Sequence, residues 1–243
     1  LGLYERYEDL GFEGKLDDLM RGIRLLLGDD RDHQQQLTEY LDEATELAIQ
    51  RGAIAELSLA FCLGQKARLV GPKDPDQAIT LLRRQGSTLE QREEAVEFTS
   101  DQLLLGRFLL YRGQPKATLA LLKRLTDDGE APLAKPEWRL EARILEARCF
   151  YLLQDFDSLG QQLDDLLISV EDETETDSRE RAEVYSLKLE LYHRRSDLIG
   201  DDEAATTYGE LDRLVEAKDW SSDIAKHKVR ERRSWELSRL SFE

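Results

Sequence analysis

Cysteine, proline and histidine are scarce in this chain. Two cysteines in 243 residues cannot frame a disulfide-rich fold. Cys62 and Cys149 each lie in an apolar helical stretch, where a thiol reads as a small core side chain in a reducing compartment. Five prolines and 15 glycines are too few for an all-β chain with closely spaced turns. His33, His193 and His227 stand apart, and no HExxH, HxxxH or CxxC spacing occurs, so no metal site is expected. The phosphate-binding loops GxxxxGKS/T and GxGxxG are missing, as is the nucleophile elbow GxSxG. No apolar run approaches the roughly 18 residues of a membrane span, and no membrane partner is expected. Basic residues are outnumbered, 34 Lys and Arg against 51 Asp and Glu, and the net charge of −17 disfavours nonspecific contact with nucleic acid or anionic lipid. Carboxylates are abundant enough for chance pairs, so they read as solvated faces rather than catalytic dyads. Neither a cofactor nor an enzymatic activity is expected.

What the chain does have is helix-forming residues in helical spacing. Leu16, Leu19, Met20, Ile23, Leu26 and Leu27 fall on one face, and so do Leu37, Tyr40, Leu41, Ala44, Leu47 and Ala48. Gly52 is placed to end the second of these helices. Asp74 and Pro75 read as the cap and first turn of a helix holding Ile79, Leu81 and Leu82. Gly86-Ser87 reads as the next turn, followed by a helix from about Leu89 to Tyr111. Gly113-Gln114-Pro115 and Asp155-Phe156-Asp157 read as two further turns. Their second helices are expected over Ala117–Leu125 and Leu159–Val170. Helices over 179–194, from Asp201, and over 221–240 complete the pattern, with an acidic linker at 171–177.

These helices repeat. A small residue in the first helix of each pair falls at Gly22, Gly64, Gly106 and Ala147, at gaps of 42, 42 and 41. A further 41 residues reach Lys188, where the small side chain is lost but the helical pattern persists. A period of this length predicts stacked helix pairs, because one pair cannot bury its apolar faces alone.

The pattern Ala147…Phe150…Gln154-Asp155-Phe156, and likewise Leu105-Gly106…Leu109…Gly113, resembles tetratricopeptide repeats. The unit is longer than that family's usual one, and in this it is similar to the repeats of MalT-like bacterial regulators or of kinesin light chains, with Leu103 to Leu125 similar to the MalT-like type. The small residue expected early in the second helix fits at Ala78 but is Thr118 and Leu159 in two other copies. The resemblance covers roughly residues 16–215. It implies an all-α, right-handed α-solenoid of about five antiparallel helix pairs over residues 1–218. Residues 219–243 then form a C-terminal capping helix packed on the last repeat.

It also implies a concave groove lined by the first helices. By register this groove takes Gln65, Arg68 and Leu69; then Arg107, Leu110 and Tyr111; then Arg148, Tyr151 and Leu152; then Leu189, Tyr192 and His193. Arginine forks bind carboxylates and tyrosines supply stiff contact area, so the expected partner is an acidic peptide or helix. The expected function is a scaffold or adaptor, cytoplasmic or, in a eukaryote, nuclear. The alternative is the ligand-sensing domain of a MalT-like transcription regulator. Near the C-terminus Lys226, Lys228, Arg230, Arg232 and Arg233 form a basic patch beside Trp220 and Trp235. It suits either a nucleic-acid contact or a capping helix against an acidic solenoid, and the interleaved Glu231 and Glu236 favour the cap. The chain opens at Leu1 rather than Met, as expected of a piece of a longer protein.

Overall fold

A computed structural model describes residues 12–28, 33–89, 98–127, 135–172 and 178–216. Every regular element among them is helical. The N-terminal segment before Phe12, residues 173–177 of the expected acidic linker and the expected C-terminal helix with its basic patch lie outside the described residues, while Glu171 and Asp172 of that linker belong to a helix that runs to Asp172. The chain divides into two compact units at Arg112 and Gly113, within the stretch expected to be one repeat domain.

The first unit holds α1 (Phe12–Leu27), α2 (Gln34–Arg51), α3 (Glu56–Val70), α4 (Pro75–Leu89) and α5 (Thr99–Tyr111). Each packs on the next. Leu16, Leu19 and Ile23 of α1 meet Leu37, Leu41, Ala44 and Ala48 of α2, and Cys62 of α3 closes the same cluster. Gly52, at φ +64°, ends α2 and starts the 3-10 turn Gly52–Ala55 that leads into α3. The residues Gln34–Val70 contain an 18-residue window of mean hydropathy 1.3, apolar enough by composition to cross a membrane. The expectation that no stretch comes near that mark is therefore too strict. The stretch is divided by the Gly52–Ala55 turn, however, and both of its helices bury apolar side chains in this core.

The second unit holds α6 (Pro115–Asp127), α7 (Pro136–Leu153), α8 (Phe156–Asp172), α9 (Ser178–Arg194) and α10 (Asp201–Glu216). Consecutive helices again pack together, and α7 also touches α9. The core runs through Ile144 and Ala147 of α7, Leu159, Leu163 and Leu166 of α8, Val184, Leu187 and Leu191 of α9, and Ala204 and Leu211 of α10.

Each even-numbered helix starts in the same way. The carbonyls of His33, Asp74, Gln114, Asp155 and Gly200 accept the N–H four residues on, at 2.9–3.2 Å. The five acceptors are spaced by 41, 40, 41 and 45 residues. The five donors, Leu37, Ala78, Thr118, Leu159 and Ala204, are all buried. Two of these starts carry a side-chain cap: Asp74 Oδ1 accepts the Gln77 N–H at 3.0 Å, and Asp155 Oδ1 accepts the Ser158 N–H at 3.3 Å.

The small residues at the repeat register also have a structural reason. A Cβ on Gly22 would stand 2.9 Å from the Tyr40 ring of α2, and one on Gly64 would stand 2.7 Å from Gln85 Nε2 of α4 and still closer to Asp101 Oδ2 of α5. The space is taken by a side chain from a neighbouring helix, not by a neighbouring backbone. In the last pair the arrangement is reversed. Lys188 is itself buried, and its Nζ pairs with Glu203 in the first turn of α10.

Three boundaries differ from those expected. Gly86-Ser87 is not a turn: α4 runs through it to Leu89, which closes α4 and does not begin α5. Ser87 and Thr88 return their hydroxyls to the Arg84 carbonyl at 2.9 Å, which satisfies them within the helix. Helix α6 begins at Pro115, whose missing N–H costs nothing at a first helical position. Helix α8 begins at Phe156, because Asp155 is its cap.

These environments separate two helical glycines. Gly64→Ala drives a methyl into the buried Gln85 and Asp101 side chains and is expected to destabilise by about 1–3 kcal/mol. A Cβ on Gly86 meets only the Gln102 amide at 3.5 Å, so Gly86→Ala is expected to stabilise by about 0.5–1 kcal/mol through helix propensity. Urea unfolding of the two variants, followed by circular dichroism, checks both signs.

Candidate functional site

The residues expected to line a groove fall in both units, and the described environment differs from one to the next. In the first unit Arg107 and Tyr111 lie one turn apart on α5 and are both exposed, the tyrosine 77% so. Arg68, in the last turn of α3, donates from Nη2 to the Asp101 carboxylate and to Ser100 Oγ at 3.3 Å. Leu110, between Arg107 and Tyr111, is buried and belongs to the core rather than to a groove. The reason is helical geometry: the exposed face of α5 carries 107 and 111, and position 110 lies on its flank. Leu69 packs against the core of the first unit.

In the second unit Arg148 of α7 pairs with Glu183 of α9, Nε to Oε1 at 2.6 Å. Leu152, one turn further along α7, is 48% exposed. Tyr151 turns toward its own pair, its ring meeting Phe156 edge-on at 6.4 Å. Tyr192 donates its hydroxyl to Asp201 Oδ1 at 2.8 Å, and His193 Nε2 lies 3.1 Å from Tyr208 Oη, so both reach toward α10. Leu189, expected at the groove, is 1% exposed and forms part of the second core.

One feature of the first unit had no signal in the sequence. Asp101, the third residue of α5, is 5% exposed. Its Oδ1 takes Arg68 and its Oδ2 accepts from Gln85 Nε2 at 2.7 Å. The same Gln85 nitrogen donates to the Ala60 carbonyl at 2.9 Å, while Gln85 Oε1 is buried without a donor. A sequence with this many carboxylates does not mark one Asp as buried. The nearest clue is Gly64, whose missing Cβ leaves room for the network.

Cys62 and Cys149 are both free thiols. Both thiols are buried. Burial is the main cause that pushes Cys62 up to about 11, against smaller opposing effects of Lys66 and the Thr45 hydroxyl. Burial likewise pushes Cys149 up to about 12, with the Glu146 carboxylate adding to it. Glu146 is raised too, chiefly by burial, against the opposing effects of Arg143 and of Gln162, whose Nε2 donates at 3.1 Å. Among the described residues no group of three His, Cys, Asp or Glu converges to hold a metal ion. The chain matches no protein-family model and no curated relative.

The thiols give a test of this core. A raised folded-state value keeps each thiol protonated after the unfolded chain has begun to ionise near 9. Stability is therefore full below pH 9 and falls as pH rises from there, by at most about 1.4 kcal/mol per thiol per pH unit. Urea midpoints measured between pH 8 and 10.5 are expected to fall less steeply in a Cys62→Ala/Cys149→Ala variant than in the parent. At pH 8 an aromatic disulfide reagent is expected to label both thiols only after denaturation.

Proposed function

We propose that this chain is a non-enzymatic helical-repeat interaction module, a scaffold or adaptor of the tetratricopeptide type. Its odd-numbered helices present the surface that takes an acidic partner peptide or helix. The helix pairs are then successive turns of an α-solenoid. The repeated start of the even helices and the register of Gly22, Gly64, Gly106, Ala147 and Lys188 on the odd ones support that arrangement.

One observation carries the assignment of the surface. An arginine and an exposed apolar or aromatic side chain recur one turn apart at the same register, Arg107 with Tyr111 and Arg148 with Leu152, 41 residues on. An aromatic ring contributes contact area at low entropic cost, and an arginine beside it supplies direction and charge. Arg148 is held by Glu183, so a partner carboxylate there replaces or joins an existing pair. This makes the α5 patch of the first unit stronger than the α7 patch of the second.

The comparison that tests the proposal is quantitative. The parent chain and an Arg107→Glu/Tyr111→Ala/Arg148→Glu variant are immobilised at equal density, and bound proteins are measured by isotope-labelled mass spectrometry. Proteins captured by the parent are expected to fall about tenfold or more on the variant. Equal capture by two folded chains would overturn the proposal.

A further inference from the structure

Two ion pairs join successive odd-numbered helices, and their acids share one place in the repeat. Asp101 of α5 takes Arg68 of α3, and Glu183 of α9 takes Arg148 of α7. Asp101 and Glu183 stand two repeats apart at the same register. In each unit the arginine comes from the odd helix before. The apolar residue two turns after the acid is covered as well: Leu109 is 3% exposed and Leu191 1%. A Cβ on Gly160 of α8 would stand 3.7 Å from Leu191 Cδ2, so a small residue of the preceding even helix lies over that leucine. An acid and a leucine eight residues on thus form the side of an odd helix that receives the pair before it.

Helix α1 carries the same side. Asp17 and Leu25 stand at these two registers, and eight residues bring them within about 80° of each other around the helix. Asp17 is exposed, and Leu25 is 70% exposed. Nearness to a helix end does not explain the leucine, because Leu109 and Leu191 lie as close to the ends of α5 and α9. Asp18 and Arg21 stand between them, 4.0 Å from carboxylate to guanidinium. Charges there do not bar a neighbour. Helix α7 has Arg143 and Glu146 at the same two registers and still packs on α6.

We infer that the outer side of α1 is the receiving half of a contact between helix pairs. Its occupant is a further pair, carried ahead of Phe12 in a longer chain. The first helix of that pair gives an arginine to Asp17, and the second covers Leu25 with a small residue. Another copy of this chain fits less well. Its last described odd helix, α9, has Leu189 and Tyr192 where α7 has Arg148 and α3 has Arg68, so it brings no arginine to Asp17. This side of α1 is separate from the α5 and α7 patches proposed for the acidic partner.

The connection from α8 to α9 supplies the test, because Ser178 stands at the register of Phe12. A copy of residues 136–177, with its Cys149→Ala, is joined ahead of Phe12 in place of residues 1–11. Its Arg148 and Gly160 then precede Asp17 and Leu25 by the spacing they have to Glu183 and Leu191. Leu25→Cys is introduced into this extended chain and into the 243-residue parent, and native-state labelling by a maleimide is timed. Cys62 and Cys149 of the parent are buried, so the introduced thiol is read alone. Labelling is expected to be fast in the parent and slower by about tenfold or more in the extended chain. Asp17→Lys in the extended chain is expected to restore about two- to fivefold of the rate, and Arg148→Glu in the copied pair to slow it again. Equal labelling of the two chains would overturn the inference, whatever the state of the added pair. Slowing that ignores Asp17→Lys would overturn the arginine contact. Labelling of the parent that slows as its concentration rises would give the face to a second copy and overturn the upstream pair.

Discussion

A helix with one apolar stripe gains most of its stability from what it packs against, and within each unit of this chain the main partner is the next helix along. That constraint places heavy demands on the connections. The turn from an odd helix into an even one has only a few residues in which to reverse the chain and bring the two stripes face to face. The solution recurs: a carbonyl accepts from the N–H four residues on, and the residue that donates is buried. It is met with Asp74 and Asp155 as side-chain caps, with His33 and Gln114 without that same pattern of sequence, and with Gly200 in the last pair. Chemistry at the cap varies, whereas the burial four residues later does not.

Between the helices of a pair the governing quantity is volume. Gly22 and Gly64 leave a gap that Tyr40 and the Gln85–Asp101 pair fill from neighbouring helices. Lys188 fills the equivalent place from its own side and reaches Glu203. A small residue and a buried lysine thus answer the same packing question from opposite directions. This explains why the fading of the sequence motif at Lys188 does not end the helical pattern. It also explains why Gly64 is the position where packing and polarity meet. The room it leaves is occupied by a buried carboxylate whose second oxygen leads to a surface arginine.

The candidate surface was legible in part. The register carried over with the resemblance placed Arg107 and Tyr111 of α5, and Arg148 and Leu152 of α7, at a groove; all four are exposed, because a helix returns the same face about every four residues. The same register misplaced Leu110 and Leu189, which lie on the flank that each helix turns to its core. It also says nothing of where a side chain reaches. Tyr151, Tyr192 and His193 are half-buried and directed at the partner helix of their own pairs, at Phe156, Asp201 and Tyr208.

Local order was within reach of the sequence by itself. Helical periodicity, the spacing of 41 or 42 residues and the Asp74-Pro75 start of α4 are properties of short stretches, and they survive in any tertiary setting that buries the apolar stripe. Gly86-Ser87 marks the limit of that logic, since a glycine and a serine that look like a turn are carried through by the packing of α4 on α3 and α5. The contacts of Arg68 with Asp101, 33 residues away, and of Gln85 with Asp101, 16 away, were decided only by tertiary structure. Which acidic side chain is drawn into this core depends on the rotation of three helices about their axes and on a gap left by one glycine. Periodicity fixes the face of a helix to within a residue or so, whereas a hydrogen bond needs its atoms placed to within a few tenths of an ångström.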